Sequence, residues 1–596
     1  MPHKLPIKIK IKISGEAGDG IASVGEILMK SAASLGYNAT AYKSFPPNIR
    51  GGYSQSLVTI SETPITSALS SFDMLFALNE AAFKIDSQKV GSGKLVAVES
   101  TVVNNQENCV AIEQLKKNKN SVFSVPVSGL ANEISDNSQI RSAIVLGVIA
   151  FLLDMPESLI LKTILRQFKH KGSKIHELNC KAVQTGRRWA AENFNEILSF
   201  KIPPLNNPAD RVILDGNQAV GIGAIVSGCT FFASYPITPA TTIGEFMAES
   251  LLHADGFAYQ AEDEIAALGA VVGASFAGCK AMTATSGPGL SLMQEFIGYG
   301  SMVELPIVIV DVQRGGPSTG MPTKHAQDDL MAAVFGSHGE SPRIVLAPIN
   351  IQDCLEVTIS AFNLAERYQC PVILLSDSSL GMINGTMEIP QITKEQITNR
   401  YVLSELSQKS FSRFEYTENG LNPIPVPGFS PCTYHVSGVE HDTKGTPSVD
   451  CETRVKQMEK RFRKIEFVET ENESLVEWDL ESQVYNADFS IISWGLTASA
   501  SKEAVRNLRE KGYKVAAIYP RLLYPVCRTA IEKLAQFSSL VIVPESNYTQ
   551  QYAHLVRMYT SVCPVSFALS NGEPFTPDEI EAFCEQTLKP EFRIRK

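Results

Sequence analysis

Clustered cysteines are missing from this sequence. Its eleven cysteines stand singly, and no two of them form a CxxC pair. Iron–sulfur clusters are held by closely spaced thiolates, so any such cluster that the protein uses is expected on another chain. Scattered single thiols are typical of buried, reduced cysteines in a cytoplasmic protein.

Long apolar runs and long basic runs are also missing. No stretch reaches the roughly 20 consecutive apolar residues that span a bilayer, and we see no apolar core or cleavage site of a signal peptide. The net charge is −10, and an acidic chain without a basic tract is a poor nucleic-acid binder. We therefore expect a cytoplasmic protein that binds neither membranes nor nucleic acid.

What the sequence does contain is alternating strand and helix patterns over 596 residues, enough for several domains. Residues 1–195 begin with a predicted strand at 7–13, a glycine-rich turn SGEAGDG and an amphipathic helix at 21–35. The lysines of KIKIKIS alternate with apolar residues, which predicts that they form the solvent face of this first strand. A linker containing three prolines follows within residues 196–210.

The rest of the chain predicts two further domains and a connection. In residues 211–390, the strands FFASYP, CKAMTAT, PIVIVDV and PVILLSD alternate with helices, which indicates a parallel sheet. Residues 391–480 show little periodicity apart from the basic helical stretch ETRVKQMEKRFRKIE, and so long a connection is usually functional or interfacial. Residues 481–596 predict a small α/β domain. The fold class is therefore multidomain α/β.

Three motifs within residues 211–390 place polar groups just beyond strand ends. Thr238 follows a strand in SYPITPA, Ser286 and Gly287 open a helix in TSGPG, and Arg314 ends a strand in VDVQRGG. Ligands bind beyond the carboxyl ends of parallel strands, where a hydroxyl, helix-start N–H groups and an arginine can hold a small anion. Each motif taken alone is equally compatible with an ordinary turn, helix cap or surface residue.

The stretch EDEIAALGAVVGASFAG combines acidic residues at a helix start with a row of small residues. The helix dipole favours acidic side chains there, which accounts for at least two of Glu262, Asp263 and Glu264. One carboxylate beside so tightly packed a helix could instead be buried against a ligand nitrogen. Burial would raise its pKa and allow it to exchange a proton.

Taken together, these motifs resemble a known family. YPITP, EDEIAALGAVVGASFAG, TSGPGLSLMQE and QRGGPSTGMPTKHAQDDL resemble, in order and spacing, the pyrimidine-binding domain of 2-oxoacid:ferredoxin oxidoreductases. YTENGLNPIPVPG, EHDTKG, VPESNYTQQYAHLVR and NGEPFTPDEI resemble later parts of the 2-oxoglutarate-type alpha subunit, and SGEAGDG…FPPNIRGGYSQS resembles a gamma domain fused at the N-terminus. The resemblance covers nearly the whole chain. It implies a parallel-sheet gamma domain at 1–195, a thiamine-type pyrimidine-binding domain at 211–390 and a transketolase-C-like domain at 481–596.

The resemblance also implies roles for individual residues at a thiamine cofactor. Glu264 matches the glutamate that hydrogen-bonds the pyrimidine ring of thiamine diphosphate, and Glu262 is the alternative if the register differs by two. Such a carboxylate must be sheltered from water to hold its proton well. Further cofactor contacts are implied for four residues at the same strand ends: Tyr235, Pro236, Ser286 and Gly287.

Other implied roles concern the substrates. Thr238 matches a threonine that contacts the carboxyl region of the 2-oxoacid, and Arg314 matches the arginine that pairs with its 1-carboxylate. Lys324 is a candidate for binding a distal carboxylate of the substrate. Lys43 and Arg50 are candidates for binding the phosphates of coenzyme A.

The implied activity is the oxidative decarboxylation of a 2-oxoacid, 2-oxoglutarate being favoured, to an acyl-CoA and CO2, a reaction that can also run in reverse. Electrons would pass through a 4Fe–4S cluster to ferredoxin. The cluster and the Mg²⁺–diphosphate site are expected on a beta subunit, with no metal on this chain, in a dimer of heterodimers. The alternatives are an enzyme for pyruvate, branched-chain or aryl 2-oxoacids, and a non-catalytic scaffold subunit.

Two features could suggest other sites. The GDG motif at 18–20 followed by Asn48 mimics a diphosphate–magnesium motif, but SFPP precedes Asn48 where that motif has an apolar strand. A glycine-rich turn at a helix start is therefore the favoured interpretation. His325, in PTKHAQ, is predicted to be a solvated loop histidine, with a place near the distal end of the substrate as the alternative.

Overall fold

The computed structural model describes residues 6–44, 52–69, 71–135, 140–194, 200–206, 210–402, 411–428, 432–481 and 486–589. The chain divides into two compact units. One comprises Met1–Leu214 with Ile383–Ile389, and the other comprises Asp215–Met382 with Pro390–Lys596. Among the described helices, we find none that combines the length and the apolar character needed to cross a bilayer.

The strands, in chain order, are β1 (Lys8–Glu16), β2 (Asn38–Ser44), β3 (Tyr53–Ser61), β4 (Met74–Ala77), β5 (Leu95–Glu99), β6 (Ser121–Val125), β7 (Arg211–Asp215), β8 (Cys229–Ser234), β9 (Phe257–Gln260), β10 (Lys280–Thr285), β11 (Ile307–Gln313), β12 (Ile344–Leu346), β13 (Pro371–Asp377), β14 (Asn384–Glu388), β15 (Val476–Asp479), β16 (Phe489–Ile492), β17 (Val515–Pro520), β18 (Leu522–Tyr524), β19 (Val541–Glu545) and β20 (Val565–Ala568).

The α-helices are α1 (Ile21–Ser34), α2 (Glu80–Asp86), α3 (Ser100–Val103), α4 (Cys109–Lys117), α5 (Val127–Asn132), α6 (Arg141–Leu152), α7 (Glu157–Gln167), α8 (Ser173–Asn193), α9 (Gly216–Val226), α10 (Thr241–Ser250), α11 (Glu264–Phe276), α12 (Gly287–Met302), α13 (Leu330–Phe335), α14 (Ile351–Tyr368), α15 (Ser378–Met382), α16 (Cys451–Glu471), α17 (Gly495–Glu510), α18 (Arg528–Leu534), α19 (Gln551–Tyr559) and α20 (Pro577–Thr587). Short 3-10 helices lie at Ser87–Lys89, Gln106–Asn108, Leu251–Ala254, Lys394–Gln396 and Glu473–Leu475.

The first unit contains one sheet with the strand order β6-β5-β4-β1-β3-β2-β14-β7. Strands β1, β4, β5 and β6 pair in parallel, as predicted. Strand β3 is antiparallel to both β1 and β2, and β14 is antiparallel to β2. The sheet is therefore mixed rather than wholly parallel. Only residues 45–52 separate β2 from β3, fewer than the dozen or so that a parallel crossover needs.

The lysines of the first strand do not form the predicted solvent face. Lys10 and Lys12 are both buried, and Lys12 Nζ lies 2.6 Å from a carboxylate oxygen of Asp86. The expectation was wrong because β1 lies inside the sheet, between β3 and β4, and α1 and α2 contact it. An interior strand that helices cover has both faces buried, so its polar side chains need partners within the protein.

The predicted turn and the amphipathic helix of this unit are confirmed. Gly20, with a φ of 81°, caps the N-terminus of α1, as expected for a glycine-rich turn at a helix start. The largely apolar segment Arg141–Leu152 forms the buried helix α6, which packs closely against α8. A Cβ atom on Gly186 would lie 2.0 Å from the carbonyl oxygen of Ile144, so this close helix approach requires glycine there.

The second unit contains two sheets. The larger one has the order β18-β12-β13-β11-β10-β8-β9, and all its pairs are parallel except β12–β18. The smaller one has the order β15-β17-β16-β19-β20, with β15 alone antiparallel to its neighbour. The four strands predicted in residues 211–390 are confirmed as β8, β10, β11 and β13, and residues 481–596 contain alternating strands and helices, as predicted. The multidomain α/β class is confirmed as well.

The connecting segment is anchored by a buried charge cluster. On α16, Lys460 and Lys464 both form ion pairs with the carboxylate of Glu304, and Arg413 donates a hydrogen bond to the Glu304 carbonyl oxygen at 2.7 Å. All four side chains are buried. Burial opposes ionisation of Glu304, but the three cations outweigh it and hold its pKa well below the usual range. Burial lowers the pKa of Lys460 to about 7, although Glu304 opposes this.

Exchange of Glu304 for glutamine is expected to destabilise the full chain by about 3–5 kcal/mol, because it leaves buried cations without their counter-charge. Chemical denaturation followed by circular dichroism measures the free energy of unfolding. Glu452→Gln is the matched control, since Glu452 forms an ion pair with Lys456 on the exposed side of α16. If Glu304→Gln is no more destabilising than this control, the cluster does not anchor the segment.

Candidate active site

The sequence-predicted polar residues gather at one edge of the larger sheet. Strands β8, β10 and β11 are adjacent and parallel, so their carboxyl ends face the same way. Thr238 lies in the loop after β8, Ser286 and Gly287 follow β10, and Arg314 follows β11 directly. Arg314 donates a hydrogen bond to the carbonyl oxygen of Thr238 at 2.5 Å, which joins two of these loops. Tyr235, in the Thr238 loop, is exposed.

Arg314 is a buried cation at the end of β11, with two acids, Asp311 and Asp329, close enough to affect its charge. Its side chain is 7% exposed, and its Nε atom has no hydrogen-bond partner. No carboxylate of the described residues forms an ion pair with it. Burial lowers the pKa of its guanidinium, while the charges of Asp329 and Asp311 act in the opposite direction. A guanidinium with unused donors at a strand end is suited to bind an anion.

Glu264 is a buried carboxylate at the first position of α11. The preceding residue, Asp263, caps this helix by accepting a hydrogen bond from the Ala266 N–H at 2.7 Å. Glu264 is 6% exposed, whereas Glu262 is exposed. Within the described part of the chain, no group donates a hydrogen bond to the Glu264 carboxylate. Of the two glutamates, only Glu264 therefore has the shelter that the predicted cofactor contact requires.

Gly289 makes the room for this carboxylate. A Cβ atom at position 289, in the first turn of α12, would lie 2.7 Å from Glu264 Cγ and 1.9 Å from Thr285 Oγ1. Any larger residue would push the glutamate out of its place. Beside it, Ser286 precedes α12 with its hydroxyl buried and without a hydrogen-bond partner. The Glu264 carboxylate and the Ser286 hydroxyl therefore lie beside the first turn of α12, and neither has a hydrogen-bond partner among the described residues.

A cleft of about 740 Å³ opens beside Arg314. Gly287 and the loop after Arg314 line one part of it, and Ser546, Tyr548 and Ser570 of the C-terminal segment line another. Its volume is within the range of small-ligand sites. Six predicted residues of the second unit are absent from its lining: Tyr235, Pro236, Thr238, Glu264, Ser286 and Lys324.

The loop that borders the cleft is held by the C-terminal segment through Gln327. This side chain is fully buried, and its Oε1 accepts hydrogen bonds from Ser546 N at 2.8 Å and Thr497 Oγ1 at 2.9 Å. Its Nε2 donates to the carbonyl oxygen of Trp494 at 3.0 Å. Sequence reasoning missed Gln327, because nothing in the local pattern distinguishes this glutamine from a surface residue.

His325 is not the solvated histidine that the sequence suggested. It is 3% exposed, and its Nδ1 lies 3.0 Å from Asp377 Oδ1. The expectation was wrong because the His325 backbone N–H donates to the carbonyl oxygen of Gly572, and the C-terminal segment covers the loop. Asp377 ends β13, where the strand register places it opposite Gln313. The Nε2 atom of His325 is buried and has no partner.

The other predicted binding residues have partners or lie elsewhere. Lys324 Nζ is 2.5 Å from Glu573 Oε1, so a substrate carboxylate would have to replace this partner. In the first unit, Lys43 forms an ion pair with Glu26. Arg50 and Asn48 lie outside the described residues. The predicted roles of Lys324, Lys43 and Arg50 stay predictions.

Two acids near Arg314, the buried Asp311 and the half-buried Asp329, were also missed. Asp311 lies within β11, and neither of its carboxylate oxygens has a hydrogen-bond donor. Burial and the adjacent Asp329 raise the pKa of Asp311 well above its usual value. Burial raises the pKa of Asp329 to about 6. Asp311 could have been noticed as an aspartate inside the apolar strand IVIVDVQ. Its contact with Asp329 could not, because the two residues are well separated in the chain.

Comparison with known families covers most of the chain. Residues 222–460 match the thiamine-diphosphate-binding domain of pyruvate flavodoxin/ferredoxin oxidoreductases. Residues 10–189 match the pyruvate ferredoxin/flavodoxin oxidoreductase domain, and residues 487–578 match core domain II of pyruvate:ferredoxin oxidoreductase.

Individual relatives agree with these matches. The chain is 31% identical to a 2-oxoacid:ferredoxin oxidoreductase subunit alpha of Sulfolobus sp., over 97% of this chain and 96% of the relative. It is 40% identical to 2-oxoglutarate synthase subunit KorA of Methanocaldococcus jannaschii, over 62% of this chain and 97% of the relative. The structure of 2-oxoglutarate:ferredoxin oxidoreductase from Magnetococcus marinus, with 2-oxoglutarate, coenzyme A and succinyl-CoA bound, superposes with a TM-score of 0.90 at 34% identity, covering 98% of this chain and 100% of that one. This chain therefore belongs to the 2-oxoacid:ferredoxin oxidoreductase family and is a subunit of a thiamine-diphosphate-dependent enzyme.

Proposed function

We propose that this chain is the alpha subunit of a 2-oxoglutarate:ferredoxin oxidoreductase with a fused gamma domain. The enzyme would convert 2-oxoglutarate and coenzyme A into succinyl-CoA and CO2, and pass two electrons to ferredoxin in the cytoplasm. The observation that carries this proposal is Glu264, a buried carboxylate to which no described group donates a hydrogen bond, on the same sheet edge as Arg314, whose Nε has no hydrogen-bond partner among the described residues. The relatives named for 2-oxoglutarate support the choice of substrate.

The residues present fit the pyrimidine ring of thiamine diphosphate. Among the described residues, the Glu264 carboxylate and the Ser286 hydroxyl have no hydrogen-bond donor or partner, and Gly289 leaves room for the Glu264 side chain. When bound, the cofactor supplies the carbon nucleophile that attacks a 2-oxoacid. Glu264 would hold a proton at a ring nitrogen of the pyrimidine, which is favourable only where water is excluded. We assign Tyr235, Pro236 and Gly287 to the same contact surface.

Arg314 and Thr238 would orient the substrate. The guanidinium can bind the 1-carboxylate through two parallel N–H donors, while its existing bond to the Thr238 carbonyl oxygen fixes the direction of its plane. Because the carboxylate is held at a strand end, the 2-oxo carbon is presented in one orientation. We keep Lys324 as the candidate for the distal carboxylate, which it would bind in place of Glu573.

The remaining cofactors are assigned to a partner. A beta subunit would bind Mg²⁺ and the diphosphate and carry the 4Fe–4S cluster that reduces ferredoxin. The singly placed cysteines of this chain and the "subunit alpha" names of its relatives support this division. We further propose a dimer of heterodimers, and domain boundaries at residues 195, 211, 390 and 481. Lys43 and Arg50 remain candidates for coenzyme A phosphates.

Co-expression with the beta subunit, followed by anaerobic purification, tests this function. The complex should reduce ferredoxin with 2-oxoglutarate and coenzyme A, and should react more slowly with pyruvate, 2-oxoisovalerate and phenylpyruvate. A preference for one of these other acids would replace 2-oxoglutarate as the substrate. No ferredoxin reduction with any of the four acids would contradict the proposed activity.

A further inference from the structure

The strongest unexplained feature near the cleft is the acid pair Asp311 and Asp329. Asp311 is 0% exposed and lies on β11, three residues before Arg314. Asp329 lines the cleft, where a Cβ atom on Gly287 would be 2.8 Å from both of its carboxylate oxygens. Its backbone N–H donates to the side chain of Gln313 at 3.1 Å. One acid of the pair, Asp311, thus lies on a buried strand, and the other, Asp329, lies at the surface of the cleft.

The surroundings of Asp311 indicate that the pair holds a proton. No described donor reaches either carboxylate oxygen of Asp311. An ionised carboxylate in such a place is very costly, so the group keeps its proton instead. Asp311 and Asp329 are neighbours that can share a hydrogen bond. Two ionised carboxylates have only acceptors, and the bond therefore forms when one of the two acids is protonated.

The charged groups around the pair favour one negative charge on it. Arg314 stabilises a negative charge on both Asp311 and Asp329. The charge of Asp328 opposes a negative charge on Asp329, and His325 favours a negative charge on Asp328. The favoured arrangement has the proton on Asp311 and the negative charge on Asp329, because Asp311 is fully buried and Asp329 faces the cleft. Burial then raises the pKa of Asp329 to about 6, which suits a proton acceptor near neutral pH.

We propose that Asp329 is the proton acceptor of this cleft, with Asp311 as its positioning residue, and that it takes the proton of the acyl-accepting thiol. This inference rests on the proposed function. The S–H bond of the thiol breaks as an O–H bond forms on Asp329. A sulfur electron pair forms the S–C bond to the acyl carbon as the bond that joins this carbon to the cofactor breaks and its electron pair returns to the cofactor. The two electrons of the oxidation pass to ferredoxin, the acceptor in the proposed reaction. The proton then leaves Asp329 through the open cleft.

Exchange of Asp329 for asparagine in the assembled complex tests the acceptor. Thiol-dependent turnover should fall by about 10²-fold, while release of CO2 in a single turnover without thiol should be unchanged. Asp328→Asn is the matched control, because it removes a neighbouring cleft charge but leaves the acceptor, and it should retain turnover at alkaline pH. Equal slowing of both phases, or full turnover, in the Asp329 variant would overturn the proposal.

Exchange of Asp311 for asparagine tests the positioning residue. Asp329 must be ionised to accept a proton, so wild-type turnover should fall as the pH drops through its pKa of about 6. In the wild type the protonated Asp311 donates a hydrogen bond that lowers the pKa of Asp329. An amide at position 311 is a weaker donor than a carboxylic acid, so it would stabilise ionised Asp329 less and raise its pKa. The acid limb of kcat should therefore move to higher pH with the KM for the 2-oxoacid unchanged. An unmoved limb would contradict the role of Asp311.

Infrared difference spectroscopy supplies a readout that does not depend on activity. The wild-type complex should show a carboxylic acid C=O band at neutral pH that disappears in Asp311→Asn. A spectrum in which this band is absent from the wild type, or persists in the variant, would rule out the shared proton. If the wild-type complex is inactive with every 2-oxoacid, the proposed function fails, and this band still decides whether the acid pair exists.

Discussion

Replacing Glu264 by glutamine is expected to lower turnover of the assembled enzyme by about 10²- to 10⁴-fold, the usual contribution of an acid–base group. Glutamine has the same shape but cannot take up or release the proton that the pyrimidine contact requires. No described group hydrogen-bonds the Glu264 carboxylate, so the exchange removes no protein contact. The measurements are kcat with 2-oxoglutarate and the binding constant of thiamine diphosphate.

Glu262→Gln is the matched control for this experiment. Glu262 is two residues away and exposed, so its exchange should leave both constants unchanged. The comparison also separates the enzyme from a non-catalytic scaffold. Normal turnover in the Glu264 variant would mean that the chain retains the fold without the chemistry, and a loss in the Glu262 variant alone would move the role to that residue.

Replacing Arg314 by lysine should lower kcat/KM for the 2-oxoacid by about 10²-fold, because the 1-carboxylate loses a bidentate partner that binds it before and during the reaction. Lysine keeps the charge but lacks the planar pair of donors. It also loses the hydrogen bond to the Thr238 carbonyl oxygen. We expect most of the effect in KM, which steady-state kinetics over a range of 2-oxoacid concentrations will measure.

Arg506→Lys serves as the control, since Arg506 is about half exposed on α17 and, among the described residues, forms ion pairs with Glu503 and Glu510 of its own helix. Its exchange should leave kcat/KM unchanged. Thermal denaturation of both variants will show whether the Arg314 exchange perturbs the fold. An unchanged KM in a folded Arg314→Lys variant would exclude this guanidinium as the carboxylate site.

Local pattern was sufficient for the elements that present the site. Short apolar runs bounded by glycine, proline and polar residues predicted β8, β10, β11 and β13, and the structure confirms each of them. The same patterns placed Thr238, Ser286 and Arg314 just beyond strand ends. Strand formation and helix capping depend on neighbouring residues in the chain, so they can be predicted from the sequence.

Contacts between residues far apart in the chain could not be predicted in this way. His325 meets Asp377 across 52 residues of chain, and Gln327 meets Ser546 across 219. A loop histidine has the same local sequence whether it is covered or solvated. Likewise, the alternation of lysine and isoleucine in KIKIKIS is typical of a strand with one solvent-exposed face. Lys12 is nevertheless buried, because β1 lies inside the sheet.

The sequence by itself determined the α/β class, the strand ends and, through its motifs, the family to which the chain belongs. The tertiary structure alone decided which acids are sheltered: Glu264 and not Glu262, and Asp311 beside Asp329. The physical reason is that burial and the approach of a second charge are sums over groups far apart in the chain. Such sums set the pKa of a carboxylate, and no local pattern records them.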